Sequence, residues 1–240
     1  VHVVCSAGGY GGGRVTRDAD NAQGVHIHHV AASGQGRRSA VGRLCDWGSY
    51  YVLAGTKAME LGRFDACLAL TTPPFIGLVG SALKRIRGTR FVLWSMDVWP
   101  DVAEALGTIK QNGLIARGLR TVSRRLHRRA DAVISLGPAM TDLLVRRGAS
   151  PESIVTVDNW VPAEVVEPRP WGRSYVDSLG LEDEFFVMYS GNMGMGHEFD
   201  TFLDAAARLQ DAPDIQFLFV GGGKRRGEIE ERVRADELSN

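Results

Sequence analysis

The stretch Phe185-Phe186-Val187-Met188-Tyr189-Ser190-Gly191-Asn192-Met193-Gly194-Met195-Gly196 runs from apolar residues straight into a glycine-rich turn, and a helix-like segment, Glu198 to Leu209, follows it. The order recurs further on: Ile215 to Val220 is a β-type run, Gly221-Gly222-Gly223 is the turn, and Lys224 to Arg234 reads as a polar helix. Strands alternating with helices predict an α/β fold with a mainly parallel sheet. Glycine also lets a backbone come close to a ligand, because no Cβ stands in the way. The N–H groups that open the following helix lack an intrahelical acceptor and point at negative charge, most often phosphate. Gly191, Asn192, Gly194 and Gly196 are therefore candidate ligands of a diphosphate, joined by Gly222 and Lys224 from the second turn. The competing reading is a tight structural turn for the first group and a solvated lysine for the second.

A chain of 240 residues has room for one large domain or two modest ones. With 44% hydrophobic and 23% charged residues it is globular in composition, which excludes a disordered or fibrous class. Lys plus Arg and Asp plus Glu both number 28, so net charge says nothing about partners. Cys5, Cys45 and Cys67 are odd in number and lack metal-ligand spacing, which predicts small buried residues in a reducing compartment. No apolar run reaches the roughly 18 residues of a membrane span, and no charged segment leading into an apolar one opens the chain. A cytoplasmic location is expected. Val1 to Cys5 already reads as a strand without an initiator Met, and the last helix should lead into another strand, as in an internal piece of a longer protein.

After the first strand comes a glycine-rich loop, Gly8 to Gly13, and then a strand from Val25 to Val30. Ser39 to Leu61 places Leu44, Trp47, Tyr51, Ala54, Ala58 and Leu61 at helical spacing, which predicts a long helix lying on a sheet. Strands are expected at Ala66 to Leu70, Phe91 to Trp94, Ala132 to Leu136 and Ile154 to Val157. Helices are expected at Phe75 to Lys84, Leu114 to Arg129 and Pro138 to Arg147. Such alternation implies a sheet covered on both faces. Apolar periodicity then stops, and prolines recur at Pro162, Pro168 and Pro170. The expected division is a first domain over residues 1–162, a linker over 163–180 and a second α/β domain from 181 to 240.

Several stretches, in their order and spacing, resemble one family: Thr71-Thr72-Pro73-Pro74, Trp94-Ser95-Met96-Asp97-Val98-Trp99-Pro100, Ala130-Asp131-Ala132-Val133-Ile134, Asp158-Asn159-Trp160 and Tyr189-Ser190-Gly191-Asn192-Met193-Gly194. They are similar to the retaining glycosyltransferases of family 4, whose GT-B architecture sets two Rossmann-like domains across a cleft. Within that family the resemblance is to bacterial enzymes of cell-surface polysaccharide synthesis, such as those that transfer N-acetylfucosamine. It implies a nucleotide diphosphate sugar as donor, a UDP-sugar first, a lipid-linked or glycan acceptor, and no cofactor. Two departures stand out. Many members carry an Arg and Lys pair around the first glycine turn, where this chain has Asn192 and His197; many also have a histidine after the strand that here ends in Thr71-Thr72-Pro73-Pro74, a role left unassigned. The family's paired glutamates would lie beyond Asn240 and its first strand with a glycine loop before Val1. The second domain is accordingly expected to be truncated, and this piece to bind donors poorly.

Asp97 follows a buried-type strand, so its carboxylate is expected at the carboxyl edge of the sheet, where ligands bind in open α/β folds. It is the candidate cleft acid, touching donor or acceptor sugar, with helix capping ahead of Pro100 as the alternative. Trp99 suits either a sugar ring or an apolar interface. Asn159 and Trp160 are candidate hinge and cleft-floor residues. Of His26, His28 and His29 only the first and second share a strand face, so no metal site is expected. The segment carrying Arg117, Arg120, Arg124, Arg125, Arg128 and Arg129 with Leu119, Val122 and Leu126 between them suits an anionic membrane surface, on the inner face of the cell membrane, or simply a solvated face. It offers no stacking platform or reading helix, so nucleic acid is not expected. Two rival functions fit the same architecture: a nucleotide-sugar 2-epimerase, and a non-catalytic nucleotide- or glycan-binding protein. A nicotinamide dehydrogenase fits less well, because the turn reads Gly-x-x-Gly-x-Gly and not Gly-x-Gly-x-x-Gly.

Overall fold

A computed structural model describes residues 1–7, 21, 22, 24–31, 40–164, 166 and 185–240. The Gly8 to Gly13 loop and most of the proline-bearing stretch 163–180 lie outside the described residues. The chain divides into two compact units, Val1–Trp160 and Val161–Asn240.

The first unit contains strands β1 (His2–Ser6), β2 (Asn21–Ala22), β3 (Val25–Val30), β4 (Ala66–Leu70), β5 (Arg90–Trp94), β6 (Ala132–Ser135) and β7 (Ile154–Thr156). Its helices are α1 (Ala40–Glu60), α2 (Gly77–Arg87), α3 (Asp101–Ala105), α4 (Leu114–Arg129) and α5 (Pro138–Arg146). In place of one sheet there are two, ordered β1-β3-β2 and β4-β5-β6-β7. Every pairing is parallel except β2 with β3. Coverage is also less even than alternation implied. Strand β4 is an edge that buries Ala69 but leaves Leu68 and Leu70 exposed by 54% and 44%.

Periodicity explains the core. Phe91 and Leu93 of β5 and Val133 of β6 point inward and are almost completely buried. Helix α4 turns Ala116, Ser123, Leu126 and His127 to that side, a 3.6-residue stripe, and exposes Arg117, Arg124, Arg125 and Arg128 on the other. Helix α2 approaches the sheet so closely that a Cβ on Gly80 would stand 2.5 Å from the Phe91 ring. Gly88, at φ 74°, ends α2 in a left-handed cap whose amide bonds the Lys84 carbonyl, turning the chain into β5. At the amino edge of the sheet Asp131 accepts the Phe91 amide (2.8 Å) and the Lys84 ammonium (2.7 Å). The Lys84 bond, reinforced by the amide, holds the Asp131 carboxyl below its ordinary range. Glu104 pairs with Arg120 of α4, and Arg147 Nε donates to Asp101 at 2.9 Å, so α3 is tied to both neighbouring helices.

The second unit holds two βα repeats: β8 (Phe185–Ser190), α6 (Asp200–Arg208), β9 (Ile215–Val220) and α7 (Arg226–Ala235). The strands pair in parallel, Tyr189 opposite Phe219. Met193, Phe199, Leu203 and Ile229 form its buried core, edged by Tyr189, Phe219, Val233 and Leu238. The Phe217 amide bonds the Asn240 carbonyl at 2.8 Å, so the chain after α7 comes alongside β9.

Two glycines in the first unit have opposite expectations. Gly80→Leu overpacks against Phe91 and is expected to cost about 1–3 kcal/mol. Gly118, in α4 with nothing within 4 Å of a Cβ, should gain about 0.5–1 kcal/mol as Gly118→Ala. Urea unfolding of the two variants checks both signs.

Candidate functional site

Parallel pairing brings the carboxyl ends of β4 and β5 side by side, and a single hydroxyl ties the loops that leave them. Thr71 Oγ1 accepts the Met96 and Asp97 amides, each at 3.0 Å. The Tyr51 hydroxyl of α1 donates to the Pro74 carbonyl of the first loop, and burial pushes its pKa up to about 12, so it remains a donor. Asp97 is half-buried at this edge, and its carboxylate has no hydrogen-bond or ion-pair partner among the described residues. It does not cap α3, whose N-cap position is taken by Pro100. Trp99 and Asp97 line a small cavity together with Thr71, Ser123 and His127.

His127 is the residue that sequence reasoning overlooked. It sits within an arginine run, yet the spacing Ala116, Ser123, Leu126, His127 already assigns it to the inward stripe. It is 5% exposed, and its Nδ1 has no partner. Burial pushes its pKa down to about 4, so the ring is neutral at physiological pH. Trp160 lays its indole on Trp94, centroids 5.8 Å apart and planes within 9°. Asn159 is exposed beside it. At the end of β6, Ser135 is hydrogen-bonded to Thr141 (2.6 Å) and Thr156 (3.1 Å), three hydroxyls closing that part of the edge.

In the second unit the two glycine turns interlock through their backbones. A Cβ on Gly221 would lie 2.0 Å from the Gly191 carbonyl oxygen, and one on Gly223 would lie 2.3 Å from that of Met193. Both glycines also have positive φ, 138° and 153°. The Gly191 amide bonds Val220, the Met193 amide bonds Gly222, and the Arg225 amide bonds Met193. The amides of Asn192, Met195, Gly196, Gly222 and Lys224 have no acceptor among the described residues. Gly222 differs from its neighbours in having nothing within 4 Å of a Cβ position. Gly194 has the Asn192 side chain 2.9 Å from that position, and Lys224 is exposed.

The helix that follows the first turn starts later than the sequence suggested, and its N-terminus is already occupied. Glu198 accepts the Asp200 amide at 2.7 Å and the Thr201 amide at 3.3 Å, so a resident carboxylate meets the positive end of α6. A hydrogen bond from the Thr201 side chain, and after it the two amides, hold its carboxyl below the usual range. The open amides belong to the turn and not to the helix. Arg225 is the cross-brace: its guanidinium bonds the His197 carbonyl (2.6 Å) and Glu228 (2.8 Å) and lies over the Phe199 ring. Tyr189 completes the brace, its hydroxyl 2.9 Å from the Asn192 carbonyl and 2.6 Å from His197 Nδ1.

On the first sheet the structure adds His2 to the histidines considered above. Its ring stacks on His26 and His28, centroids 4.8 and 5.2 Å away. His2 Nδ1 and His28 Nε2 are hydrogen-bonded to each other at 2.9 Å, and no group of three potential ligands placed to hold a metal occurs among the described residues. No helix among the described residues is long and apolar enough to cross a membrane.

Comparison with known proteins places these features. The chain is 23% identical over 178 residues to WbjE of Pseudomonas aeruginosa, named as a probable glycosyltransferase, covering 74% of this chain and 44% of WbjE. It is 25% identical over 211 residues to WcaI of Escherichia coli (strain K12), named for glycosyl transfer in colanic acid biosynthesis, covering 84% of this chain and 51% of WcaI. The chain thus spans about half the length of the curated relatives it matches. Among solved structures, Anabaena Alr3699/HepE in complex with UDP and glucose superposes with a TM-score of 0.64 at 17% identity, over 90% of this chain and 55% of that one. S. aureus MnaA with UDP gives 0.50 at 12%, over 91% and 60%. These likenesses show a mixed α/β fold of the GT-B type. The model of the glycosyl transferase 4-like domain matches residues 1–160, and the chain belongs to that family.

Proposed function

We propose that the chain is part of a cytoplasmic retaining glycosyltransferase that moves a hexosyl or N-acetylhexosaminyl group from a nucleotide diphosphate sugar, a UDP-sugar first, to a lipid-linked or glycan hydroxyl in cell-surface polysaccharide synthesis. Residues 1–162 serve as the acceptor-side domain, 163–180 as the linker and 181–240 as the start of the nucleotide-sugar-binding domain. One observation carries the reading: a chain matching a glycosyl transferase domain over residues 1–160 also holds two interlocked glycine turns with open amides. The departing diphosphate gathers charge as the glycosidic bond breaks, and amide dipoles fixed beforehand stabilise it without reorganising. Asn192, Gly196 and Gly222 supply that cradle with open amides, Gly194, whose amide bonds the Asn192 carbonyl, shapes the turn between them, and Lys224 adds a cation. Asp97 orients a sugar hydroxyl at the sheet edge, beside Trp99, with Asn159 and Trp160 closing the unit. HepE, solved with UDP and glucose and with UDP-glucose, and WcaI, named for colanic acid, support the choice of donor and pathway class.

An anionic bilayer is the proposed partner of α4. Leu114 and Ile115 are 85% and 69% exposed at its start. Arg117, Arg124, Arg125 and Arg128 point outward, have no ion-pair partner among the described residues and meet no acidic residue on the helix. Each cation near such a surface contributes about 1 kcal/mol, and the two aliphatics add apolar burial.

Calorimetry with UDP-sugars on the full-length parent separates scaffold glycines from contact glycines. Gly222→Val is expected to abolish binding and Lys224→Met to weaken it roughly tenfold, both with an unchanged melting temperature. Gly221→Ala should instead lower the melting temperature. Equal affinity in wild type and Gly222→Val removes the diphosphate from these turns. In a product assay, transfer that requires an added acceptor fits the proposal; a sugar inverted at C2 and formed without one points to a 2-epimerase.

Sedimentation with phosphatidylglycerol vesicles tests the membrane partner. Reversing Arg124 and Arg125 to Glu should reduce binding at least tenfold, by about 1 kcal/mol per cation removed, and replacing Leu114 and Ile115 by Ser should reduce it through lost apolar burial. Equal binding to neutral and anionic vesicles would refute it.

A further inference from the structure

The cavity below the β4 and β5 loops is small, about 20 Å³, room for one water molecule, which needs about 10–15 Å³ and two to four polar partners. Its polar lining is Thr71, Asp97, Trp99, Ser123 and His127. Four of these side chains have unused hydrogen-bonding capacity. Thr71 Oγ1 already accepts two amides, which leaves its O–H to donate. The Asp97 carboxylate and the Ser123 hydroxyl have no partner among the described residues. His127 Nδ1 is fully buried and unpartnered. A buried imidazole nitrogen without a hydrogen bond is costly. One water accepting from Thr71 and donating to Asp97 satisfies both loops, and its other two bonds reach Ser123 and His127.

We propose that His127 is a positioning residue for Asp97, acting through a single water held in this cavity by Thr71, Ser123 and His127. The inference rests on Asp97 being the cleft acid. A neutral imidazole suits the task, because it presents one donor and one acceptor nitrogen and adds no charge that would pair with the carboxylate directly. Its burial keeps it in that form, pushing its pKa down to about 4. The arrangement limits Asp97 to one orientation while its outer oxygen stays available at the sheet edge. His127 touches no substrate in this scheme, and its effect reaches the sugar only through Asp97.

The test combines a spectroscopic and a kinetic readout on the full-length parent labelled with ¹⁵N-histidine. In wild type the His127 ring should stay in one neutral tautomer from about pH 5 to about pH 8, and the isosteric Asp97→Asn should move its Nδ1 resonance while backbone amides elsewhere keep their shifts. A high-resolution crystal structure should show one water bonded to both His127 Nδ1 and Asp97. An unmoved Nδ1 resonance in Asp97→Asn, or a cavity holding no water, overturns the proposal. In turnover, His127→Leu should lower kcat roughly tenfold with the donor KM nearly unchanged, and His127→Asn should restore part of it; equal kcat in His127→Leu and wild type also overturns it. If the parent transfers no sugar, the glycosyltransferase reading fails, and the Nδ1 shift and the crystallographic water still decide this one.

Discussion

Parallel pairing is the constraint from which the rest follows. A parallel ladder cannot be closed by a hairpin, so each strand must return through a crossover, and all carboxyl ends collect at one edge. In the first unit that edge gathers Thr71, Asp97, Trp99 and the Ser135–Thr141–Thr156 hydroxyls from segments far apart in the chain. In the second it sets the turn after β8 beside the turn after β9, which lets two short glycine stretches act as one surface. Side-chain chemistry is placed by strand direction before any side chain packs.

The glycines show how one residue type serves two purposes within three positions. Gly221 and Gly223 combine positive φ with backbone approaches that no Cβ could survive. They are scaffold. Gly222, between them, faces open space and keeps a free amide. The neighbouring Glu198 shows that the start of α6 is already occupied, since a carboxylate accepts the first amides of that helix, while the open amides lie in the turn. Arg225 then braces the assembly, bonding the His197 carbonyl and Glu228 and lying over Phe199, so its positive charge is largely engaged within the unit.

Charge is distributed by the same logic. Basic and acidic residues are equal in number, yet they are not mixed evenly. Asp131 with Lys84, Asp101 with Arg147 and Glu104 with Arg120 fasten elements within the first unit. The outer side of α4 keeps four arginines with no such partner among the described residues. An exposed pair such as Lys84–Asp131 stabilises a fold modestly; concentrating the remaining cations on one helix creates a field that a neutral total conceals.

The sequence by itself determined the fold class and the order of the elements other than β2 and α3. Hydrophobic runs bounded by glycine located β8 and β9, and the bounds of α4, Leu114 to Arg129, and of Ile215 to Val220 were readable to the residue, because strong periodicity reports which side chains must leave water. The glycine turns and the Asp97 loop were likewise visible as candidates, since turn chemistry is local. What only the tertiary structure decided depends on contacts between distant segments. It separated Gly221 and Gly223 from Gly222, whose letters are identical, because close approach involves a second backbone. It divided the first half into two sheets with β4 as a partly exposed edge, a matter of pairing partners that no local pattern encodes. It also drew His127 out of an arginine run and placed it on the lining of a cavity that Asp97 also lines, because the inward side of a helix acquires chemical meaning only once the element beneath it is known.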